Sequence, residues 1–170
     1  MFFDANMAAA MNCLTTKGAF LTVKGGGKVN TMTISWGFLG LIWEKPHFVA
    51  LVRPQRYTYK LLELADSFTV SIPDDGDLAE ELVVCGTQSG ADIDKGAVVR
   101  FVPAKAVDGC VVAGCGKYLE CRIDYRGRFD GDNLSPKVRD AFYNGDYHYV
   151  YFGEIVSEYE YEYEHEGGEA

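Results

Sequence analysis

The chain has 170 residues, which is enough for one domain that buries a core without disulfides or a metal ion. Its formal net charge of -9 argues at first against an anionic ligand, but six of its 25 acidic side chains are Glu residues that lie from Glu158 onward. Residues 1–157 therefore carry 19 acidic and 16 basic side chains, a net charge of -3. We expect a single domain over residues 1–157, followed by an acidic Tyr- and Glu-rich extension over residues 158–170.

Charge and cysteine usage exclude several classes of protein. Residues 1–60 hold seven basic and two acidic side chains, which suits a small phosphorylated ligand, whereas nucleic acid would need a basic stripe over a whole face. The five cysteines form no C-x-x-C pair with a matching partner pair, and the three histidines are not clustered, so no metal site is expected. The sequence has no apolar run of membrane-spanning length and no export signal. We expect no nucleic acid or membrane partner, and a cytoplasmic location.

Alternating apolar residues predict strands along most of the chain. The predicted strands cover residues 19–23, 29–36, 47–53, 67–72, 98–103, 118–125 and 147–157. Three glycines at 25–27 predict a hairpin turn between the first two strands. The apolar pattern of the second strand continues through two further glycines to Trp43, which is typical of a bulge or a barrel bend. A turn is predicted at residues 44–46.

Three short helices are predicted between the strands. The first follows Pro54, with Thr58 as its cap, and the second begins with a capping box from Asp77 to Glu80 and ends near Gly86. The third begins at Ser135-Pro136. Five to seven strands with two or three short helices predict a mainly β, mostly antiparallel barrel rather than alternating βαβ units. The polar loop between residues 87 and 96 is expected to lie outside the core.

Two neighbouring segments suggest a ligand site. In the strand over residues 30–36, Thr31, Thr33 and Ser35 share one face and can hydrogen-bond a polar ring or sugar. Residues 53–58 supply two guanidinium groups, backbone N–H groups and a helix start, which suit a phosphate. Each feature alone is weak, because Thr is common in strands and exposed Arg is common everywhere. Together they indicate a nucleotide or flavin site.

Commoner nucleotide and catalytic motifs do not match. Gly25-Gly26-Gly27-Lys28 lacks both the earlier glycine and the following Ser or Thr of a phosphate-binding loop, since Thr22 and Val29 occupy those positions. The chain has no G-x-G-x-x-G between a strand and a helix, and no G-x-S-x-G nucleophile elbow. No catalytic acid, base or nucleophile is therefore assigned.

An ordered series of motifs resembles the flavin reductase-like family, and within it the flavoredoxin branch. The motifs are Asn30-x-Met32-Thr33-x-Ser35-Trp36-Gly37, Lys45-Pro46, Val52-Arg53-Pro54-x-Arg56-Tyr57-Thr58, Phe68-Thr69-Val70-Ser71-x-Pro73, Cys85-Gly86-Thr87-x-Ser89-Gly90-x-Asp92-x-Asp94-Lys95 and the closing strand Phe152-Gly153-Glu154-Ile155-Val156. The resemblance extends from about residue 17 to residue 157, and the run of motifs is more specific than any one of them.

The resemblance implies an FMN-binding split β-barrel of antiparallel Greek-key type that forms a homodimer. It implies electron transfer from NAD(P)H through FMN to an acceptor, which is a redox partner protein, free flavin or another molecule. One alternative is an FMN-binding electron carrier that is reduced by a protein partner and does not oxidise NAD(P)H. Another is a split barrel that has lost its flavin, although both ligand segments are intact here. Because flavin accepts hydride itself, a dedicated acid or base is optional.

The resemblance also implies roles for particular residues. Those expected to bind the flavin are Asn30, Thr31, Met32, Thr33, Ser35 and Trp36 on the strand, Arg53, Arg56, Tyr57 and Thr58 at the phosphate, and Ser89, Gly90, Asp92 and Lys95 in a closing loop. In this loop Lys95 is expected to contact the phosphate or the ring oxygens, where a positive charge would stabilise the anionic reduced flavin. Ala91 departs from the pattern, in which a longer and often basic side chain follows Ser-Gly.

Overall fold

The computed structural model describes residues 5–74 and 77–160. Its strands are β1 (Ala19–Gly25), β2 (Lys28–Ile34), β3 (Gly37–Ile42), β4 (Lys45–Val52), β5 (Ser67–Ile72), β6 (Phe101–Pro103), β7 (Cys110–Val112), β8 (Lys117–Arg128) and β9 (Tyr149–Glu160). Its α-helices are α1 (Ala5–Thr16), α2 (Tyr57–Leu62), α3 (Ala79–Thr87) and α4 (Pro136–Phe142). Single 3₁₀ turns lie at Lys95–Ala97 and Gly131–Asn133. The predicted mainly β class with short helices is confirmed.

Seven strands form one antiparallel sheet in the order β2-β1-β5-β8-β9-β4-β3, and β6 and β7 form a separate hairpin. The edge strands β2 and β3 are joined by only Ser35 and Trp36. Six strand spacings would separate the edges of a flat sheet by about 29 Å, whereas a two-residue link spans at most about 11 Å. The sheet therefore curls into a barrel that stays unclosed between β2 and β3, as a split barrel requires.

The barrel has apolar residues on both faces of β1, because successive side chains on a strand point in opposite directions. Leu21 packs into the larger core cluster with Phe48 and Leu119. Its neighbour Phe20 packs into a second cluster with Leu82 of α3 and other residues from the β6-β7 hairpin. Helix α3 packs against the outside of β1 and β2, and the chain that follows it reaches Asn30 near the start of β2.

Several local predictions are confirmed. Gly26 and Gly27 form the β1-β2 turn with φ values of 57° and 76°, which glycine adopts without steric cost. Ser135 caps α4, since its side chain accepts a hydrogen bond from the Val138 N–H. The turn before β4 lies at Trp43 and Glu44, slightly earlier than expected, and both residues have positive φ.

Other predictions of local structure are wrong. Helix α3 has no capping box: its N-cap is Leu78, in a left-handed conformation with no side-chain cap. Thr58 is not the cap of α2 but a buried residue inside it, and the N-cap is Arg56. Helix α1 and strand β7 were not predicted, because α1 is Ala-rich without strong polar spacing and β7 has three residues. The described residues contain nine strands rather than five to seven.

Strand β9 continues to Glu160, so the first residues of the predicted extension belong to the sheet. Lys117 of β8 pairs with Glu158 at 2.7 Å and with Glu160 at 3.3 Å. The remainder of the extension, residues 161–170, lies outside the described residues. No helix in the described part of the chain has both the length and the apolar character that crossing a membrane requires.

Candidate functional site

Two adjoining cavities lie where β2, α2 and the end of α3 meet. The first, of about 140 Å³, is named the polar cavity and is lined by Asn30, Thr31, Met32, Gln55, Arg56, Tyr57, Thr58, Cys85, Thr87, Gln88, Ser89 and Gly90. The second, of about 200 Å³, is named the aromatic cavity and is lined by Met32, Thr33, Ile34, Ser35, Trp36, Leu51, Arg53, Arg56 and His148. Met32 and Arg56 line both cavities, so the two cavities adjoin at these residues.

The floor of the polar cavity is a buried hydrogen bond between two predicted site residues. Asn30 of β2 donates from Nδ2 to Oγ1 of Thr58 in α2, at 2.8 Å. The backbone at Gly90 closes against this pair, since a Cβ at that position would lie 1.8 Å from Oδ1 of Asn30 and 2.9 Å from Cδ1 of Tyr57. Residues from three separate segments therefore meet here, as the family resemblance implies.

Arg56 is the cation at the junction of the two cavities. Its Nη1 donates to the carbonyl of Gly86 at 2.8 Å and its Nη2 to that of Cys85 at 3.4 Å. Burial lowers the pKa of its guanidinium group. Among the described residues no carboxylate pairs with Arg56, so its charge is not neutralised by an acidic neighbour.

Arg53 has a different environment, although it also lines the aromatic cavity. It forms an ion pair with Asp146 and donates from Nη2 to the carbonyl of Phe142 at 2.8 Å. Its guanidinium carbon lies 5.1 Å from the ring centroid of Tyr143. The two arginines of the predicted phosphate segment are thus not equivalent, because only Arg56 keeps an unpaired charge beside the polar cavity.

Two hydroxyls of the predicted polar face are engaged within the protein. Thr31 is buried, accepts from Thr22 at 2.9 Å and lies 3.2 Å from the Leu21 carbonyl, to which it donates. Thr33 donates to the carbonyl of Leu82. Each hydroxyl therefore has a partner within the protein, but both residues line the cavities, so their contact with a flavin stays a prediction. Ser35, by contrast, is exposed at the aromatic cavity.

Asp92 and Lys95 of the predicted closing loop line neither cavity. The loop over residues 87–96 lies outside the core as expected, since its residues are exposed or half-buried except for Lys95, which is buried. The Lys95 ammonium donates to the carbonyls of Gln88 at 2.6 Å and Val84 at 3.2 Å, and burial lowers its pKa. Its contacts tie the end of α3 to the segment that lines the polar cavity.

The aromatic cavity contains His148, a polar residue that the sequence did not point to. Its ring centroid is 5.1 Å from that of Trp36, and its Nδ1 is 2.9 Å from the Tyr143 hydroxyl. Burial, followed by the charge of Arg53, lowers the pKa of His148 from 6.5 to about 4. Gln55, Thr87, Gln88, Cys85 and Leu51 also line the cavities. Gln55, Thr87 and Gln88 lie within the motifs of the family resemblance, so the sequence could have identified them as lining residues. His148 is distant in sequence from the motifs that predict the site.

The combined site suits a ligand with a planar ring at one end and an anionic group at the other. One end is bounded by Trp36, Leu51, Ile34 and His148, and flat apolar surfaces of this kind accept aromatic rings. The other end presents amides, hydroxyls and the Arg56 guanidinium, which are donors for sugar and phosphate oxygens. The described residues contain no group of three or more His, Cys, Asp or Glu that could hold a metal ion.

Comparison with known proteins places the chain in a family. The model of the family "Flavin reductase like domain" matches residues 11–166, so the chain belongs to the flavin reductase-like domain family. The predicted family membership is confirmed.

Solved structures share the fold at low sequence identity. A flavoredoxin from Methanosarcina acetivorans has a TM-score of 0.69 and 23% identity, covering 86% of this chain and 69% of that one. An FMN-binding protein from Thermus thermophilus has a TM-score of 0.68 and 23% identity, covering 84% and 69%. An NADH:FAD oxidoreductase from Streptomyces globisporus C-1027, in complex with NAD and FAD fragments, has a TM-score of 0.65 and 19% identity, covering 93% and 83%.

Proposed function

We propose that this chain binds FMN across the two cavities and moves electrons from NAD(P)H through the flavin to an acceptor. The observation that carries the proposal is that the aromatic and polar cavities adjoin at Met32 and Arg56. A flavin mononucleotide has the matching order of parts, a planar ring, a polyol chain and a phosphate. Membership in the flavin reductase-like family supports the same ligand.

In this proposal the chain's residues bind and orient the flavin. Trp36 and Met32 bound the ring, the amide of Asn30 and the hydroxyl of Ser89 lie beside the polyol, and Arg56 holds the phosphate. Bound isoalloxazine itself accepts hydride at N5, so the protein supplies position, local field and exclusion of water. This division of labour explains why no nucleophile or acid–base pair is needed.

The electron donor distinguishes two candidate activities. The oxidoreductase of the same fold that binds NAD and FAD fragments supports direct oxidation of a pyridine nucleotide. The flavoredoxin of the same fold supports the second candidate, an FMN-binding electron carrier that is reduced by a protein partner. In either case the acceptor is a redox partner protein, free flavin or another molecule.

Purified protein tests both candidates in one preparation. We expect a yellow protein with an oxidised-flavin spectrum that bleaches when NADH or NADPH is added without oxygen. A yellow protein that responds to neither nucleotide would favour the carrier. A colourless protein that cannot be loaded with FMN would contradict both.

A second experiment tests the phosphate assignment. Arg56→Ala should weaken FMN binding at least tenfold more than riboflavin binding, because riboflavin lacks the phosphate that Arg56 is proposed to hold. The matched control is Arg139→Ala, since Arg139 lies on α4 in an exposed pair with Asp140. Equal losses for FMN and riboflavin would remove Arg56 from the phosphate. Loading with FAD in parallel tests the preference for FMN.

We also propose a homodimer. The side chains of Phe38, Leu41 and Trp43 are 48%, 66% and 60% exposed on the edge strand β3 and its turn, where an apolar surface favours a partner. Sedimentation should give a dimer, and Leu41→Glu should shift it to monomer.

The five cysteines form no disulfide, which supports our proposal of a reducing, cytoplasmic location.

A further inference from the structure

Arg53 binds one segment of the chain through three kinds of contact. Its Nη1 pairs with the Asp146 carboxylate, its Nη2 donates to the Phe142 carbonyl at 2.8 Å, and its guanidinium group lies over the ring of Tyr143. All three partners belong to the connection between the end of α4 and the start of β9. Arg53 itself follows β4, so it fastens this connection to the sheet.

The carboxylate partner of Arg53 is itself held in place. Asp146 accepts from the backbone N–H of Asn144 at 3.0 Å and from Nε2 of Gln55 at 3.1 Å. The Asn144 N–H and the Arg53 guanidinium hold the pKa of Asp146 well below its usual range. The lowered pKa favours the ionised carboxylate that pairs with Arg53.

The connection that Arg53 fastens carries one wall of the aromatic cavity. Phe142 packs edge-on against Trp36 with ring centroids 5.4 Å apart, and Tyr143 contacts Nδ1 of His148. The Nε2 atom of His148 has no hydrogen-bond partner among the described residues. Among these residues, every side-chain nitrogen or oxygen that is fully buried has a partner. Nε2 is therefore accessible, and His148 lines the aromatic cavity.

The tautomer of His148 decides the direction of its hydrogen bond with Tyr143. The Tyr143 hydroxyl donates to Nδ1 when the neutral imidazole carries its proton on Nε2, and accepts from Nδ1 in the other tautomer. In the first tautomer the accessible Nε2 is a hydrogen-bond donor. The charged and titratable groups around this ring are Arg53, Asp146 and Tyr143, together with Arg56 on the cavity wall.

We propose that Arg53 is a positioning residue that holds Tyr143 and His148 so that Nε2–H of His148 is presented to the aromatic cavity. Arg56 is then the residue of this pair that holds the phosphate. This inference rests on the proposed function for the identity of the ligand, but not for the arrangement of Arg53, Tyr143 and His148. In the reaction, Nε2–H of His148 donates a hydrogen bond to a polar atom at the edge of the ligand in the aromatic cavity.

The experiment compares native protein, Arg53→Met and the control Arg139→Met. In flavin-free protein, ¹⁵N NMR of the His148 ring reports its tautomer and its titration midpoint. In Arg53→Met we expect a mixture of tautomers and a midpoint that rises by at least one pH unit, because Arg53 lowers the pKa of His148 and Asp146 raises it. Arg139→Met should match the native protein in both. An unchanged tautomer and midpoint in Arg53→Met would overturn the proposal.

Ligand binding provides a second, independent measurement. The ratio of FMN affinity to riboflavin affinity should change less than threefold in Arg53→Met, because both ligands share the ring that the aromatic cavity would hold. A tenfold fall in this ratio would make Arg53 a phosphate ligand and overturn the proposal. If native protein binds neither flavin, the proposed function fails, whereas the NMR measurement still decides the role of Arg53.

A milder variant serves if Arg53→Met does not fold. Arg53→Lys keeps a charge beside Asp146 but loses the planar fork that reaches the Phe142 carbonyl as well. We expect mixed tautomers with a smaller rise of the His148 midpoint. Native tautomer populations in Arg53→Lys, when Arg53→Met is unfolded, would overturn the proposal.

Discussion

Gly90 and Asn30 approach each other so closely that a Cβ on Gly90 would lie 1.8 Å from Oδ1 of Asn30. The two residues are far apart in sequence, on the strand and on the loop that bound the polar cavity. Any side chain at position 90 must therefore displace Asn30, the loop or Tyr57, whose Cδ1 would lie at 2.9 Å.

Gly90→Ala should lower FMN affinity at least tenfold, because it moves the loop away from Asn30 at the floor of the polar cavity. Fluorescence titration with FMN measures this loss, and circular dichroism checks that the fold is retained. The matched control is Gly40→Ala, since nothing lies within 4 Å of a Cβ at that strand position. Native affinity in Gly90→Ala would show that the loop is free to move without consequence for binding.

Thr58→Val should reduce the free energy of unfolding by about 1–3 kcal/mol, because it leaves the buried Nδ2 of Asn30 without its acceptor. Urea denaturation measures the loss. Thr58→Ser retains the acceptor oxygen and should lose less than half as much. If Thr58→Val left the free energy of unfolding unchanged, the hydrogen bond would contribute nothing to stability.

Lys95→Met should destabilise the protein by about 1–3 kcal/mol, since the carbonyls of Val84 and Gln88 lose a charged donor. The segment after α3 should loosen, which hydrogen exchange would detect, and FMN affinity should fall. The flavin reduction potential should not change, because Lys95 lines neither cavity. Lys60→Met, on the exposed side of α2, is the control. A lowered potential in Lys95→Met would instead support direct contact with the ring.

The protein should lose stability in mild acid because of His148. Its pKa is lowered to about 4 in the folded protein and is near 6.5 when unfolded, so the unfolded state binds more protons between these values. The free energy of unfolding should therefore fall as the pH falls from 6.5 to 4. Between pH 7 and pH 4.5 the native protein should lose about 2 kcal/mol more than His148→Gln. The free energy of unfolding of both proteins is measured by chemical denaturation at the two pH values. If native protein and His148→Gln lose the same amount, the lowered pKa of His148 is contradicted.

Some features were predictable because a few adjacent residues decide them. The turn at Gly26 and Gly27 follows from the backbone freedom of glycine, and the cap at Ser135 from a side chain that reaches its own helix. The predicted capping box of α3 is wrong because a local pattern does not determine the backbone conformation at Leu78. A capping box was present as a pattern, but the chain enters α3 in a left-handed conformation in which the box is not made.

The surroundings of charged and polar side chains were much less predictable. Lys95 belongs to a loop of mostly polar residues, yet its side chain is buried. It donates to the carbonyl of Val84 in α3 and to that of Gln88, which follows α3. Arg53 and Arg56 looked equivalent three residues apart, but Asp146, which is distant in sequence, neutralises only Arg53. Such differences depend on partners that a local pattern does not contain.

By itself the sequence determined the mainly β class, the family and the order of the segments that meet at the site, because alternation and motif order are properties of neighbouring residues. Tertiary structure alone decided which atoms of those segments face the cavities. Curling of the sheet, packing of α3 on β2 and the contacts of Arg53 with the segment before β9 bring distant residues together. Each of these depends on contacts between residues that are distant in sequence. The chemistry of His148, Arg56 and Lys95 follows from such contacts and not from the identity of the neighbouring residues in the sequence.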